Sequence, residues 1–325
     1  MALTRSELLD AARAYAEKYR DDGYSLTLRQ LYYALVSDKL IPNAQNSYKR
    51  LGDVLGEARF AGEFEMDLIV DRGRKAGGSK QAEVKVDVNA AEREARNYVE
   101  AIPYWAINID RWFGQQTHVS VWVEKDALSG VFEKPCKDLG VGFFACKGYP
   151  SHSALWEWLK QLEKAHQRSQ EPVEDNDGRI DVPPPIEEAV VLYFGDHDPD
   201  GWQIHRSAEA ALNAFADVYC LDIPPIRFRR MALNMDQIRQ YNPPPLPAKT
   251  TSSRYASYQQ EHGTDDAWEL DALKPRVLDK LIRDSVAEHW DGATFDFWQD
   301  RAREIRSNLR ERMTAKDWVT QVFKE

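Results

Sequence analysis

The sequence predicts an α/β protein whose parallel sheet follows a helical N-terminal region, and three observations predict it. First, Val190, Val191, Leu192, Tyr193 and Phe194 form an apolar run bounded by Gly195 and Pro199, the pattern of a strand buried on both faces. Second, Val119–Val123 and residues 141–146 repeat that pattern, and each of the three runs is followed by a helical period. Third, polar residues gather where the runs end, as they do at the strand C-termini of open α/β sheets.

The bulk properties bound the class. The 325 residues, 43% hydrophobic and 30% charged, suffice for two domains or one large one. No stretch is long and apolar enough to span a bilayer, and the opening MALTRSELLDAARAY reads as an amphipathic helix instead of a signal peptide. Cys136, Cys146 and Cys220 are scattered without a CxxC pair, which points to a reducing cytoplasm and away from structural zinc or disulfides. The net charge of −10 is concentrated. Residues 171–188 hold seven acidic residues and one arginine, so this Pro-rich stretch is expected to be an exposed insertion loop. Residues 1–85, with 14 Lys/Arg against 13 Asp/Glu, are nearly neutral, so global charge neither forbids nor supports a nucleic-acid partner.

In the N-terminal region, Leu8, Leu9, Ala12, Tyr15, Ala16 and Tyr19 place a first helix over residues 4–20. Thr27-Leu28-Arg29-Gln30 is a capping box that opens a second, with Leu28, Leu31, Tyr32, Leu35 and Val36 as its apolar stripe. Tyr32 is therefore a core residue, whereas Arg29 and Tyr33 share the flank one turn apart. A third helix, near 46–59, buries Tyr48, Leu51, Val54, Leu55 and Ala58 and turns Lys49, Arg50 and Arg59 outward. Residues 63–70 read as a β-hairpin or wing, followed by a basic Gly-rich loop containing Arg72 and Arg74. Three helices and a wing is the order of a winged helix-turn-helix, a duplex-binding module. A small helical domain with a flexible basic loop gives the same pattern.

Residues 88–113 read as a connecting helix with an aromatic end. Beyond the strands already named, a helix from Trp202 to Phe215 is expected, with further strands at Val218–Leu221 and Ile226–Leu233. Asn242 to Pro247 is a rigid connector, 250–262 a loop, and Val277 to Val286 an amphipathic helix. A last helix, around 301–313, has an arginine-rich face expected to meet solvent or an interface. The domain boundaries so read are 1–86, a connector at 87–117, and 118–325.

The chemistry concentrates at Gly195-Asp196-His197-Asp198-Pro199-Asp200-Gly201, with Glu124 at the end of a neighbouring strand. Carboxylates this close raise one another's pKa unless a cation neutralises them, and Mg²⁺ takes one or two carboxylates together with phosphate oxygens. The same turn also reads as a polar cap for the next helix, with Asp200 as the capping residue. His197, between the aspartates, is expected to point away, and His205 to lie at the surface. Glu269 and Asp271 either orient metal-bound waters or cap the following helix.

Glu124 with the Asp196/Asp198/Asp200 series at strand ends, and Gly148 between them, resembles the Toprim domain of topoisomerases, primases and related nucleases. VEKDAL (123–128), KGYP (147–150), GDHDPDG (195–201), MALNMDQIRQYN (231–242) and ELDAL (269–273) stand in the order found in the A subunit of type IIB topoisomerase VI. The meiotic double-strand-break transesterase is a relative of that subunit. Arg29-Gln30-Leu31-Tyr32-Tyr33 is similar to the Arg-x-x-x-Tyr element of that family's winged-helix domain. The resemblance covers about residues 25–290 and implies a winged helix, then a Toprim α/β domain with C-terminal helical elaborations. It departs from the family at Asp200, where topoisomerase VI more commonly has an aromatic. The chain also has no ATPase domain, Walker A motif or transducer, as in a minimal, stand-alone A subunit of phages and mobile elements.

The resemblance implies that Tyr33 attacks DNA to leave a 5′-phosphotyrosyl link, assisted by Arg29 and by one or two Mg²⁺ ions on Glu124, Asp196, Asp198 and Asp200. It further implies a homodimer that breaks both strands, each tyrosine meeting the metal site of its twin, and allows a separate ATPase B-type subunit. Lys49, Arg50, Arg59, Arg72, Arg74, Lys125 and Lys147 are candidate DNA contacts, with Gly148, Glu269 and Asp271 behind the site. Two further readings stay open: a Toprim nuclease that uses water, Tyr33 being structural, and a winged-helix DNA-binding protein without catalysis.

Overall fold

The computed structural model describes residues 3–24, 26–70, 109–174 and 178–314. The chain divides into two compact units. The first comprises Met1–Lys75, Thr117–Lys164 and Glu187–His289, and the second Ala76–Gln116, Ala165–Ile186 and Trp290–Glu325.

The first unit begins with three helices: α1 (Arg5–Asp21), α2 (Leu28–Ser37) and α3 (Gln45–Phe60). Thr4 and Glu7 form a capping box at α1, and Thr27 and Gln30 the expected one at α2, where Gln30 Oε1 accepts the Thr27 backbone N–H at 2.9 Å. Leu8, Ala12 and Ala16 of α1, Leu31 and Leu35 of α2, and Leu51, Leu55 and Ala58 of α3 close one core. Ala272, from far along the chain, joins it. Tyr48 is more exposed than its spacing implied; it lies on the rim, its ring edge-on to Tyr32. Residues 63–70 form no hairpin. A short 3₁₀ turn at Met66–Leu68 stands there, with Arg59 donating to the Met66 and Ile69 carbonyls at 3.0 and 2.6 Å. The basic loop at 72–80 and most of the connecting helix at 88–113 lie outside the described residues.

Four parallel strands form the sheet: β1 (Thr117–Val123), β2 (Gly142–Ala145), β5 (Glu188–Phe194) and β6 (Ile226–Ala232), in the order β2-β1-β5-β6. Helices α4 (Ser129–Leu139), α5 (His152–Ser169) and α6 (Gly201–Tyr219) lie between successive strands in sequence. On one face Trp122, Val191 and Tyr193 pack with Leu155, Leu159, Ile204, Ala208 and Leu212 of α5 and α6. On the other, Phe194 meets Phe132 of α4 at 5.1 Å, and α9 (Pro275–Ala287) packs against α4. Both faces are covered, and that accounts for the unbroken apolar runs.

From β1 the chain crosses to β2 on one side, and β5 joins β1 on the other. The switch point therefore falls between β1 and β5, where a crevice opens at the strand C-termini. Glu124 follows β1 and Asp196 follows β5.

Several elements differ from expectation. Residues 218–219 end α6, leaving no strand at 218–221. Residues 255–262 form helix α8 (Tyr255–His262), and α7 (Met235–Tyr241) precedes the proline connector. Leu246–Pro247 (β7) pairs antiparallel with Asp266–Ala267 (β8).

In the second unit the acidic insertion is a small hairpin instead of a bare loop, with β3 (Val173–Glu174) paired to β4 (Ile180–Asp181). Helix α10 (Gly292–Thr314) is anchored by Trp298, edge-on to Phe113. Arg301, on the face expected to meet solvent or an interface, is buried, with Nε 2.6 Å from Asp181 Oδ2 and Nη1 2.9 Å from Glu304 Oε2.

Candidate functional site

The crevice at the β1–β5 switch point is a cleft of about 460 Å³ whose walls include Arg29, Glu124, Lys125, Tyr149, Asp198 and Glu269. The turn after β5 is built for close approach. Glu124 lies along it, Oε2 accepting the Asp196 N–H at 2.9 Å. A Cβ on Gly195 would stand 2.8 Å from that oxygen. A Cβ on Gly201 would stand 2.8 Å from it and 2.6 Å from the Asp196 carbonyl. Glycine at both ends of the turn is therefore what lets the carboxylate in. Gly148, at φ +85°, donates its N–H to the Glu124 carbonyl at 3.1 Å.

Beneath the turn lies an arginine that the sequence reading passed over. Arg230 of β6 donates to the carbonyls of Gly201 (3.0 Å), Gly195 (3.1 Å), Asp196 (2.5 Å) and Leu233 (3.3 Å). Its guanidinium carbon lies 4.3 Å from the Trp202 ring centroid. Burial pulls its pKa down to about 10, which leaves it charged at neutral pH. The signal was present in the strand: Arg227 and Arg229 alternate outward, whereas Arg230 has the parity of the inward Phe228.

The carboxylates differ in environment. Burial first, then the Asp196 charge, raises Glu124 to about 8. Burial also raises Asp196 to about 6 against the opposing pull of Lys125, while its Oδ1 accepts the Leu270 N–H at 2.8 Å. Asp198 caps α6, Oδ1 accepting from Asp200 N–H (3.0 Å) and Gly201 N–H (2.6 Å). Asp200 stands at the N-cap position as expected, but its side chain pairs with Arg254 at 3.0 Å and the capping bond comes from Asp198. His197 points away from the cleft as expected: it is fully buried, with Nδ1 2.7 Å from the Tyr258 hydroxyl. Its backbone makes a two-bond bridge with Trp268, 2.8 and 2.9 Å, that ties the turn to the 268–273 segment. His205 is buried and stacked on Tyr193, not at the surface.

The N-terminal helices meet this edge. Tyr33 is only 5% exposed, against the flank position its spacing suggested, because the turn at Leu270–Ala272 packs on α2. The Tyr33 hydroxyl donates to Glu269 Oε2 at 2.6 Å, and Arg29 Nη2 contacts both oxygens of the same carboxylate, Oε2 at 2.5 Å. Arg29 Nε lies 3.1 Å from Asp271 Oδ2. Lys125 joins the two halves, its ammonium 2.7 Å from Asp196, 3.1 Å from Asp271 and 3.3 Å from Glu269. Glu269 and Asp271 are thus counter-ions of Arg29 and Lys125; neither side chain caps the following helix.

The charges set the acidities. Burial alone would raise Glu269, but Lys125, the Tyr33 hydroxyl and Arg29 outweigh it and hold the carboxyl at about 2. Burial and the Glu269 hydrogen bond push the Tyr33 phenol above its ordinary range. Burial opposes the charge on Lys125, yet Asp196, Asp271 and Glu269 raise its pKa overall.

The other candidate contacts are dispersed. Lys49 and Arg50 are exposed on α3, Arg50 donating to the Leu3 carbonyl at 2.6 Å, while Arg59 is held by the 3₁₀ turn. Lys147 is exposed, 3.3 Å from Asp126. Arg72 and Arg74 lie outside the described residues.

Glu124, Asp196 and Asp198 suit a hard divalent cation by donor chemistry. They offer oxygen donors at one crevice, and burial drives two of them, Glu124 and Asp196, toward the protonated form even with Lys125 beside Asp196. Among the described residues, no three acidic, imidazole or thiol side chains converge closely enough to hold an ion as they stand. No described helix is long and apolar enough to cross a membrane. Comparison with protein-family models and with curated proteins returns no match.

Proposed function

We propose that the chain is a metal-dependent DNA-cleaving transesterase of the type IIB topoisomerase A-subunit kind, with a three-helix N-terminal region and a Toprim-like sheet. The observation that carries the reading is convergence. Tyr33 and Arg29, from the N-terminal helices, reach one polar cluster with Lys125 and Asp196 at the sheet edge, joined by Glu269 and Asp271.

In this reading Tyr33 Oη bonds to the scissile phosphorus as the P–O3′ bond breaks. The electron pair goes to the 3′-oxygen, which takes up a proton as the phenol gives one up, leaving a 5′-phosphotyrosyl link that stores the bond for resealing. Arg29, charged at any working pH, stabilises phosphate oxygens by a planar, bidentate contact. Lys125 adds a second fixed cation. Glu124, Asp196 and Asp198 would hold Mg²⁺, which when bound supplies Lewis-acid stabilisation of the phosphate. The Glu124 position depends on Gly195 and Gly201, and the turn's backbone on Arg230. Double-stranded DNA, a homodimer and an ATPase B-type partner belong to the same proposal, by resemblance, but Tyr33 is proposed to serve the carboxylates of its own chain, to which Glu269 and Lys125 join it, in place of the twin's.

The test is incubation with supercoiled DNA and Mg²⁺, denaturation, and a search for protein attached to 5′ ends. Attachment that disappears in Tyr33→Phe is expected. Cleavage without attachment, unchanged by Tyr33→Phe, would replace the reading by a water-using nuclease. The burial of Tyr33 and its hydrogen bond to Glu269 are what favour that second reading.

A further inference from the structure

One carboxylate has gathered the groups a phosphate would need. Glu269 accepts from the Tyr33 hydroxyl at 2.6 Å and from Arg29 Nη2 at 2.5 Å, and lies 3.3 Å from Lys125 Nζ. A phenol, a guanidinium and an ammonium on a single pair of oxygens is the arrangement that recognises a phosphoryl group, because carboxylate and phosphate offer an arginine fork the same bidentate geometry. Charge argues that both cannot be present. Arg29 and Lys125 bring two positive charges and already face three carboxylates, Glu269, Asp271 and Asp196. A DNA phosphate arriving beside them meets net repulsion at short range, moderated by solvent because the Arg29 side chain is part-exposed.

The three carboxylates are unequal. The side chain of Asp271 is 0% exposed and that of Asp196 7%, whereas that of Glu269 is 20% exposed and stands in the cleft wall. Glu269 is the member with solvent to move into.

We propose that Glu269 is a built-in phosphate mimic: it occupies the seat that Tyr33, Arg29 and Lys125 form for a phosphoryl group, and must leave before DNA can be engaged. The seat stands on these contacts; only its consequence, a nucleophile capped until DNA arrives, rests on the transesterase reading above. Asp271 remains behind Arg29 and Lys125 after the exchange and keeps both cations aimed.

The experiment measures binding of the full chain to a short blunt duplex, and separately to inorganic phosphate, in EDTA so that no cleavage contributes. Glu269→Gln removes the charge and keeps the shape; it is expected to bind the duplex about tenfold more tightly than wild type, with a salt slope steeper by about one phosphate contact. Glu269→Ala, which empties the seat, should do the same and serves if the glutamine variant misfolds. Glu261→Gln, a charge removal beside Arg206 and Trp202, should change binding less than twofold. In the Arg29→Ala/Glu269→Gln double variant the gain should vanish. Tightening for the duplex alone assigns the seat to a DNA backbone, and tightening for both ligands assigns it to phosphoryl groups generally. Unchanged or weaker binding in both folded variants, or a gain that survives loss of Arg29, overturns the proposal. A wild-type chain that forms 5′ adducts while these variants show no gain rejects the mimic alone; a gain without any adduct rejects the transesterase alone.

Discussion

Replacing Arg230 with methionine tests whether the carboxylate turn is held from below. The side chain is half-hidden under four carbonyls at 2.5–3.3 Å, and hydrogen bonds from charged donors contribute about 1.5–3 kcal/mol each. The four do not add. The Gly195 carbonyl also accepts the Leu233 N–H at 2.7 Å, and Gly201 opens α6, so both keep or can find other donors. The Asp196 and Leu233 carbonyls lose most, and methionine fills part of the space, which brings the expected cost to about 3 kcal/mol. Urea unfolding followed by tryptophan emission measures it, and Trp202, 4.3 Å from the guanidinium, gives that emission a local component. Arg230→Lys should recover a third to a half, since one ammonium reaches fewer carbonyls than a planar fork. A loss below about 1 kcal/mol, or a lysine variant no better than methionine, would refute the reasoning.

Three further outcomes follow from the same geometry. Gly201→Ala should push Glu124 off the turn, costing about 1–3 kcal/mol and abolishing Mg²⁺-induced thermal stabilisation; a variant that keeps that stabilisation contradicts the close approach at 2.8 Å. Glu124 at about 8 and Asp196 at about 6 both lie above their unfolded values, so the folded chain retains protons the unfolded chain has lost. Without metal, stability should therefore fall as pH rises from about 4 through 8, while Mg²⁺ stabilisation grows over pH 6–8 with proton release; flat profiles in both would remove the premise. Mixing Tyr33→Phe with Asp196→Asn chains should restore no 5′ adduct, because the contacts joining Tyr33 to Asp196 lie within one chain; recovered adduct would assign the tyrosine to a partner's carboxylates.

What was legible in the sequence is what depends on near neighbours. The apolar runs marked β1 and β5 because both sheet faces are covered, and Thr27 with Gln30 marked the start of α2. The acidic turn was legible as a polar cluster at a strand end, while the capping bond to the next helix comes from Asp198 and not from Asp200. Long-range pairing was not legible. The helical period placed Tyr33 beside Arg29, but nothing near residue 33 announces that a turn some 240 residues later covers it. Lys125 stood only among the candidate DNA contacts, because its three counter-ions come from two distant segments. The wing failed for a local reason: Arg59 ties up carbonyls that a hairpin would have paired across strands.

The bridge between His197 and Trp268 makes two sequence-distant loops one lever. Asp196 and Asp198 flank one end, and Glu269 follows the other directly. If Glu269 leaves Arg29 and Tyr33 as proposed, this bridge would pass the movement to the backbone that carries the carboxylates, and an ion held there would act back on Glu269. Under that proposal linkage would be reciprocal: whatever factor an ion contributed to phosphate affinity at Arg29, phosphate would return to the affinity for the ion.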